Sequence, residues 1–198
     1  MLVEEFVGYE SLISFLEERA LPNLEGDIIE IGAYKGGGTV KLARFAKRYG
    51  KKVYVVDTFD PGLDKTVGKG GVKACEVYDA FLYGRPMLEV YRETTRDFDN
   101  IVTIRKDSKK IRFPDAQKFF FGFVDGCHQM SYVENDFGVI WPHLVSGGMI
   151  GFHDYGFDDW PEVTTAVDGL IDVHKRGIRE IHAITGKYNI LCMMLVKN

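Results

Sequence analysis

The stretch EIGAYKGGGT, residues 30–39, follows the apolar run DII and precedes residues with helical spacing. Its glycines stand at positions 32, 36, 37 and 38, so the chain is expected to turn between a buried strand and a helix. A helix that begins at such a turn presents free backbone N–H groups, which bind anions such as a carboxylate. The alternative is that the adjacent glycines only make a tight turn.

The turn differs from the glycine patterns that bind nucleotide phosphates. A dinucleotide site of the G-x-G-x-x-G type needs a second glycine where this sequence has Tyr34. A P-loop needs Gly-Lys followed by Ser or Thr, which is missing here. The turn therefore favours a carboxylate-bearing ligand over a pyrophosphate. A nicotinamide-dependent oxidoreductase stays open as an alternative function, although Tyr34 in the glycine position disfavours it.

Apolar runs bounded by turn residues alternate with stretches of helical spacing along the chain. The predicted strands are residues 27–32, 52–57, 101–105, 119–125 and 146–153, and the predicted helices are 9–20, 37–49, 73–96, 131–141 and 160–176. This alternation is typical of a doubly wound α/β fold with a mostly parallel sheet. The last two apolar runs, IREIHAIT and YNILCMMLV, are joined by a turn too short for a crossover, so they are expected to form an antiparallel hairpin and complete seven strands.

Length and composition fit one globular domain, residues 1–198. The formal net charge of -4 gives no general attraction to nucleic acid or to an anionic membrane. The three cysteines are far apart, which argues against a zinc site or a disulfide scaffold, and no signal peptide or membrane-spanning run is recognised. We expect a soluble cytoplasmic protein with no nucleic acid or membrane partner.

Acidic residues follow the second and third strands at the edge of the sheet where ligands bind in this fold class. Asp57, followed by Thr58, ends the strand VYVVD, and its carboxylate can accept hydrogen bonds from ribose hydroxyls. Asp107 and Ser108 follow the third strand, where an adenine-binding loop would lie. For Asp57 the alternative is a structural cap, and for the pair it is a solvated loop.

A second group of polar residues follows the next two strands. Asp125 and His128 lie in VDGCH, and His153 and Asp154 lie in GFHDY. Because these strands are expected to be neighbours, the four side chains should converge at one edge of the sheet.

The order of these elements resembles the class I S-adenosylmethionine-dependent methyltransferases over nearly the whole chain. The resemblance rests on E-x-G-x-x-x-G-G after the first strand, Asp57 after the second, Asp107 and Ser108 after the third, and the terminal hairpin. It implies that the turn holds the methionine part of the cofactor, with Glu30 near its amino group, Asp57 at the ribose, and Asp107 and Ser108 at the adenine. The residues implied at the turn are Gly32, Ala33, Tyr34, Gly36, Gly37 and Thr39, and Asp125 is also expected to face the cofactor.

The motifs D-G-x-H and G-G-x-x-x-x-H-D look like those of the macrocin-type and other small-molecule O-methyltransferases. The resemblance implies methylation of a small hydroxylated molecule, sugar-like or phenolic. Asp125 and Asp154 are candidate ligands for Mg²⁺, which would lower the pKa of the acceptor hydroxyl. His128 is the first candidate for the general base and His153 the second. His153 stands where the sugar-methylating members carry an acid, and the alternative to an enzyme is a non-catalytic cofactor-binding or partner-binding module.

The connection over residues 61–99 is longer than a crossover needs and is a candidate lid over the acceptor. Its glycine-rich part, DKTVGKGGVK, is expected to be mobile. The alternative is that the aromatic residues of the connection only pack in the core. As a lid it would suit a small acceptor that is partly flat or sugar-like, and its arginines would also suit an anionic one. The aromatic residues and arginines concerned are Tyr78, Phe81, Tyr83, Tyr91, Arg85, Arg92 and Arg96. A homodimer is expected because the apolar run ILCMMLV and the N-terminal helix would offer surfaces to a partner.

Overall fold

A computed structural model describes residues 7–198 and places seven strands in one sheet. The order across the sheet is β3-β2-β1-β4-β5-β7-β6. The strands are β1 (Asp27–Ile31), β2 (Val53–Asp57), β3 (Ile101–Arg105), β4 (Phe119–Val124), β5 (Leu144–Tyr155), β6 (Ile178–Thr185) and β7 (Leu191–Lys197). β1 to β5 pair in parallel, whereas β7 pairs antiparallel with both β5 and β6. The predicted doubly wound sheet with a terminal antiparallel hairpin is confirmed.

Six helices accompany the sheet in the described part of the chain: α1 (Tyr9–Glu18), α2 (Gly37–Arg48), α3 (Ala74–Leu82), α4 (Met87–Thr95), α5 (Met130–Ile140) and α6 (Pro161–His174). The predicted single helix over residues 73–96 was wrong. Tyr83 and Gly84 adopt left-handed conformations with φ of 52° and 75°, and Pro86 disfavours a helical residue before it, so the chain breaks into α3 and α4. Between residues 7 and 198, no helix combines the length and the apolar character that crossing a membrane requires.

The sheet has a hydrophobic core on each of its two faces. One core joins α1, α2 and α4 to the sheet through residues such as Leu16, Leu42 and Tyr91. The other core packs α5 and α6 on the opposite face, through residues such as Phe137 and Val167. β4 is buried along its whole length, which explains its almost continuous apolar sequence. This packing fixes the strand ends that build the functional site.

The apolar run at the C-terminal end is core rather than surface. β7 lies between β5 and β6, and its residues 192–196 are all buried. The buried residues of α1, which include Leu12 and Leu16, likewise face the core of this chain. The two surfaces on which the homodimer prediction rested are therefore already covered, although the oligomeric state itself stays a prediction.

A pair of facing residues tests whether β7 is an internal strand. Leu195 is 0% exposed and lies opposite Ile181, which is 47% exposed on β6. We expect Leu195→Ala to lower the free energy of unfolding by about 2–5 kcal/mol, because it removes buried methyl groups and leaves a cavity. Ile181→Ala, the matched control, should cost less than about 1 kcal/mol. Urea unfolding measures both, and equal small losses would contradict an internal position for β7.

Candidate functional site

A cavity of about 480 Å³ opens at the carboxyl ends of the parallel strands. Most of the residues predicted for the site line it: Gly32, Ala33, Tyr34, Gly37, Asp57, Thr58, Asp107, Ser108, Asp125, His128, His153 and Asp154. Glu30, Gly36 and Thr39 do not line it and lie in or behind the glycine turn. The structure therefore brings both predicted groups of polar residues to one opening.

The carboxylate of Asp57 fastens the glycine turn to the end of β2. Its Oδ2 accepts hydrogen bonds from the backbone N–H groups of Ala33, at 2.8 Å, and Tyr34, at 3.1 Å. Its Oδ1 accepts a third, from the N–H of Phe59 at 2.6 Å. Burial raises the pKa of Asp57, whereas these three bonds act in the opposite direction. Asp57 thus has a structural function in the turn, and Oδ1 retains room for a further donor.

Glu30 lies behind the turn rather than in the cavity. Its side chain is fully buried and accepts hydrogen bonds from the hydroxyl groups of Tyr9, at 2.8 Å, and Thr39. Burial raises the pKa of Glu30 to about 8, even though both hydroxyl bonds lower it. Glu30 and Thr39 therefore join the end of β1 to the first turn of α2, and this position differs from the predicted place of Glu30 beside the cofactor.

Two glycines of the turn are required by close contacts within the protein. Gly32 has a φ of 90°, and a Cβ atom there would lie 2.1 Å from the backbone oxygen of Asp125. A Cβ atom on Gly38 would lie 2.2 Å from the ring of Tyr9. The glycines thus let β1, β4 and α1 meet at the cavity, so the tight-turn alternative accounts for part of the motif.

The loop after β3 is anchored rather than solvated. Asp107 Oδ1 accepts a hydrogen bond from the N–H of Lys109 at 2.9 Å. Ser108 is buried, and its Oγ accepts a bond from Asn135 at 3.3 Å. Asp136 on α5 also lines this part of the cavity, and burial raises its pKa to about 6. Sequence reasoning missed Asp136 because it lies within a helix, away from any strand end.

The residues after β4 and on β5 form one cluster of alternating charges, in which Asp125 is partly exposed and the other three residues are buried. His153 Nδ1 lies 3.1 Å from Asp125 Oδ1 and 3.1 Å from Asp154 Oδ2. His128 Nε2 lies 3.1 Å from the same Asp154 oxygen. Asp154 has a φ of 59°, a left-handed conformation that is uncommon for a residue other than glycine. The four side chains therefore converge at one edge of the sheet, as predicted.

The carboxylates hold both imidazoles in their charged form. Burial would lower the pKa of His128, but the hydrogen bonds to Asp154 and Asp64 raise it to about 9. Burial also opposes charge on His153, but the charges of Asp125 and Asp154 raise its pKa to about 10. The same contacts hold the pKa of Asp154 well below its usual range, against the effect of burial. Near neutral pH neither imidazole is in the neutral form that a general base requires.

Sequence reasoning missed Asp64, which lies in the stretch expected to be mobile. Its Oδ2 is 2.8 Å from His128 Nδ1. The rest of that stretch is a small hairpin-like turn, with a bridge between Val67 and Lys73, and the N–H of Lys69 donates to Asp159 at 3.0 Å. The available signal was D-K-T, in which an aspartate can accept hydrogen bonds from the residue two positions on.

The candidate lid divides between the cavity and the core. Leu63, Ala74 and Tyr78 line the cavity, whereas Tyr91 is buried against α2 and the sheet. None of the three arginines at positions 85, 92 and 96 is among the lining residues, so they do not support an anionic acceptor.

Lys35 is a buried cation at the cavity that sequence reasoning also missed. It is 8% exposed, and its Nζ donates a hydrogen bond to the backbone oxygen of Phe81 at 3.4 Å. Over residues 7–198, no carboxylate pairs with this ammonium group. Its Nζ also lies 5.3 Å from the centroid of the Tyr34 ring and 5.8 Å from that of the Phe81 ring. A buried ammonium group with one long hydrogen bond and two ring contacts still favours an anion in the adjoining cavity.

Comparison with known proteins places this site in a family. A model of the methyltransferase domain family matches residues 29–155, which include the turn, Asp57 and the cluster. A search of curated protein sequences found no match.

Solved structures share the fold at low sequence identity. The O-methyltransferase NovP is 20% identical, with a TM-score of 0.66, over 96% of this chain and 78% of its own. CalS11, a TDP-rhamnose 3'-O-methyltransferase, is 16% identical with a TM-score of 0.60, over 95% and 78% of the two chains. An rRNA methylase from Streptococcus thermophilus is 14% identical with a TM-score of 0.62, over 100% and 99%. These likenesses establish the fold and leave the acceptor open.

The position of Glu30 generates a prediction about stability and pH. The pKa of Glu30 is 4.5 in the unfolded chain and about 8 in the folded protein. As the pH increases between these values, Glu30 ionises in the unfolded chain first, and the free energy of unfolding therefore decreases. Glu30→Gln should remove this contribution, which is at most about 1.4 kcal/mol per pH unit. His128 and His153 stabilise the fold below about pH 6.5 and lose that effect at higher pH. This loss is the same in wild type and in Glu30→Gln, so it cancels in the difference between them. Urea unfolding at pH 5.5, 6.5 and 7.5 measures the difference in free energy of unfolding between the two proteins. Glu25→Gln, at an exposed position, serves as the control. If the free energies of wild type and Glu30→Gln change in parallel with pH, the raised pKa of Glu30 is refuted.

Proposed function

The chain belongs to the methyltransferase domain family and is an S-adenosylmethionine-dependent methyltransferase, and we propose that it methylates a hydroxyl group of a small molecule. The observation that carries the proposal is the buried cluster of Asp125, His153, Asp154 and His128 beside the glycine turn, in one cavity. The named activities of NovP and CalS11, both O-methyltransferases, support the same choice of acceptor atom.

For the cofactor we propose an extended arrangement along the carboxyl edge of the sheet. The methionine carboxylate would lie at the start of α2, near the N–H groups of Gly37 and Gly38, with Lys35 as its counter-charge. The ribose would bond Asp57 Oδ1 and Thr58, and the adenine would lie between Asp107, Ser108 and Asp136. The sulfonium methyl group would then point toward Asp125 and Asp154. Glu30 and Thr39 would support the turn from behind.

The acceptor side of the cavity suits a molecule with a flat apolar part. Leu63 and Tyr188 are 52% and 70% exposed and line the opening, together with Phe157 and Trp160. Exposed apolar groups at an opening favour a ligand that covers them. We therefore favour a phenolic acceptor, or a sugar carried on an apolar group, and no longer an anionic one.

A large nucleic acid acceptor is the alternative that the rRNA methylase fold raises. The chain carries a net charge of -4, and its cavity is lined by several carboxylates, among them Asp57, Asp64 and Asp125. This charge would repel a phosphate backbone. The absence of a nucleic acid partner stays a prediction.

The cluster also offers ligands for a divalent cation, which is the second part of the proposal. Donor atoms of Asp125, His153 and Asp154 all lie within 4.8 Å of one another. Two carboxylates and an imidazole suit ions such as Mn²⁺ or Co²⁺ better than Mg²⁺, which prefers oxygen ligands. The donor set thus fits a divalent ion but favours a different one from the predicted Mg²⁺. A bound cation would lower the pKa of the acceptor hydroxyl.

The residues of the chain would position the acceptor and balance the charge around it. The acceptor hydroxyl would have to lie behind the methyl group, in line with the bond to sulfur that breaks. As the new C–O bond forms, the hydroxyl proton would pass to the carboxylate of Asp125, whose pKa burial raises. Asp125 and Asp154 would orient that hydroxyl, and without a cation His128 and His153 would neutralise the carboxylates. A cation bound at Asp125 and Asp154 would displace the proton of His153 and take over its charge, because an imidazole binds a metal only in its neutral form. The charged state of the two imidazoles argues for this role over that of general base.

Calorimetry with S-adenosylhomocysteine tests the cofactor assignment. Wild type should bind it, and Asp57→Ala should weaken binding by about 1.5–3 kcal/mol, because a charged acceptor at the ribose and the fastening of the turn are lost together. Exposed Asp115→Ala serves as the matched control. Unchanged affinity in a folded Asp57→Ala protein would refute the role of Asp57.

Turnover of phenols and sugars, compared with turnover of the matching amines, tests the acceptor. Methylation of the amines alone would overturn the choice of oxygen as the acceptor atom.

A chelator should remove most turnover and leave binding of S-adenosylhomocysteine intact, because different residues carry the two functions. Mn²⁺ should restore turnover at a lower concentration than Mg²⁺, and His153→Asp should reverse that order by supplying a third oxygen ligand. Asp154→Asn should lower turnover and raise the ion concentration required. Full turnover in excess chelator, with Asp154→Asn still impaired, would show instead that the carboxylate acts on the acceptor directly.

A further inference from the structure

Residues 61–73, called the covering segment below, border the acceptor side of the cavity. This segment reaches the cluster of Asp125, His153, Asp154 and His128 through one residue, Asp64. Asp64 follows the short helical turn Pro61–Leu63 and is only 6% exposed. Leu63, directly before it, lines the opening of the cavity and is among the exposed apolar residues there. An acceptor that packs against Leu63 would therefore contact the residue adjacent to Asp64.

Hydrogen bonds fix the Asp64 carboxylate in one orientation. Oδ1 accepts from the N–H of Thr66, at 3.0 Å, and from its hydroxyl, at 2.6 Å. Oδ2 lies 2.8 Å from His128 Nδ1. With both oxygens engaged inside the protein, Asp64 is placed to act through His128 rather than on an acceptor.

His128 transmits this orientation to the cluster. Its other ring nitrogen, Nε2, lies 3.1 Å from Asp154 Oδ2, and its ring stacks on Trp160 with centroids 4.5 Å apart and planes at 16°. The imidazole is thus held by the covering segment on one side, by β5 on the other and by an indole across its face. Asp154 has a left-handed backbone, which persists where surrounding contacts support it, and its Oδ2 contacts both His128 and His153.

The covering segment is also fastened at a second place. The N–H of Lys69 donates to Asp159 at 3.0 Å, and Lys69 Nζ pairs with Asp158 at 2.9 Å. Asp158 and Asp159 directly precede Trp160 in the chain. The segment therefore contacts the β5–α6 connection next to Trp160, in addition to its contact with His128.

We propose that Asp64 is a positioning residue, through which the segment covering the acceptor sets the orientation of His128 and Asp154. The inference rests on the proposed function, because it gives the chain Asp64–His128–Asp154 a task in methyl transfer. When the segment closes over an acceptor, it also places Asp64 against His128 and so completes the cluster. An acceptor that fails to pack under Leu63 would bind without being methylated efficiently.

The test compares Asp64→Asn with wild type in four measurements. Asn keeps the shape of the side chain and removes its charge, so the bond to His128 Nδ1 weakens while packing is retained. We expect kcat to fall at least about tenfold, which corresponds to the loss of one charged hydrogen bond, with the acceptor KM changed less. Affinity for S-adenosylhomocysteine should stay unchanged. In a Trp141→Phe background, emission from Trp160 should change, because the stacked imidazole is released.

Asp79→Asn is the matched control, since Asp79 is an exposed aspartate on α3 outside the cavity lining. Thr66→Val gives a second variant that withdraws a support of Asp64 without touching His128, and it should produce a smaller effect in the same direction. If Asp64→Asn lowers only thermal stability, with kcat and Trp160 emission unchanged, the proposal is overturned. Trp160 emission is independent of turnover, so it distinguishes this outcome from failure of the proposed function, in which wild type itself would not methylate a hydroxylated acceptor.

Discussion

Three backbone N–H groups converge on the carboxylate of Asp57, and the geometry of the cavity depends on that contact. Two of them belong to the turn after β1 and the third to the connection after β2. Tyr34 has a left-handed φ of 50°, which a bulky residue rarely adopts without outside support. Asp57 supplies the support at the front of the turn, and the buried Glu30 with its two hydroxyl donors supplies it from behind. The glycines let neighbouring elements approach, and the two acids define where the turn lies.

The second constraint is the balance of charge at the other end of the cavity. Three carboxylates, Asp64, Asp125 and Asp154, would be costly to bury together without positive charge nearby. His128 and His153 lie between them and provide that charge. His153 is thus consistent with its acidic surroundings. In its neutral form it would also offer a cation a nitrogen ligand beside the two carboxylates.

Much of this arrangement was predictable, because strand ends in a doubly wound sheet determine which residues meet. The period of apolar residues located the strands, and the four cluster residues follow from two adjacent strand ends. Other features depend on contacts between distant parts of the chain. Local sequence does not show that Gly38 faces Tyr9, that Asp64 lies against His128, or that ILCMMLV is an internal strand. The break between α3 and α4 was visible in Y-G-R-P, but helical periodicity on both sides concealed it.

We expect one cavity, built on the turn that Asp57 fastens, to hold the cofactor with its sulfur atom beside the acidic cluster. A crystal structure of the protein with S-adenosylhomocysteine tests this expectation directly. It should show the carboxylate of the ligand near Lys35 and the start of α2, the ribose at Asp57, and the sulfur facing Asp125 and Asp154, with the bonds from Ala33 and Tyr34 to Asp57 retained. Ligand density elsewhere on the protein, or a turn released from Asp57 in the complex, would show that this arrangement is wrong.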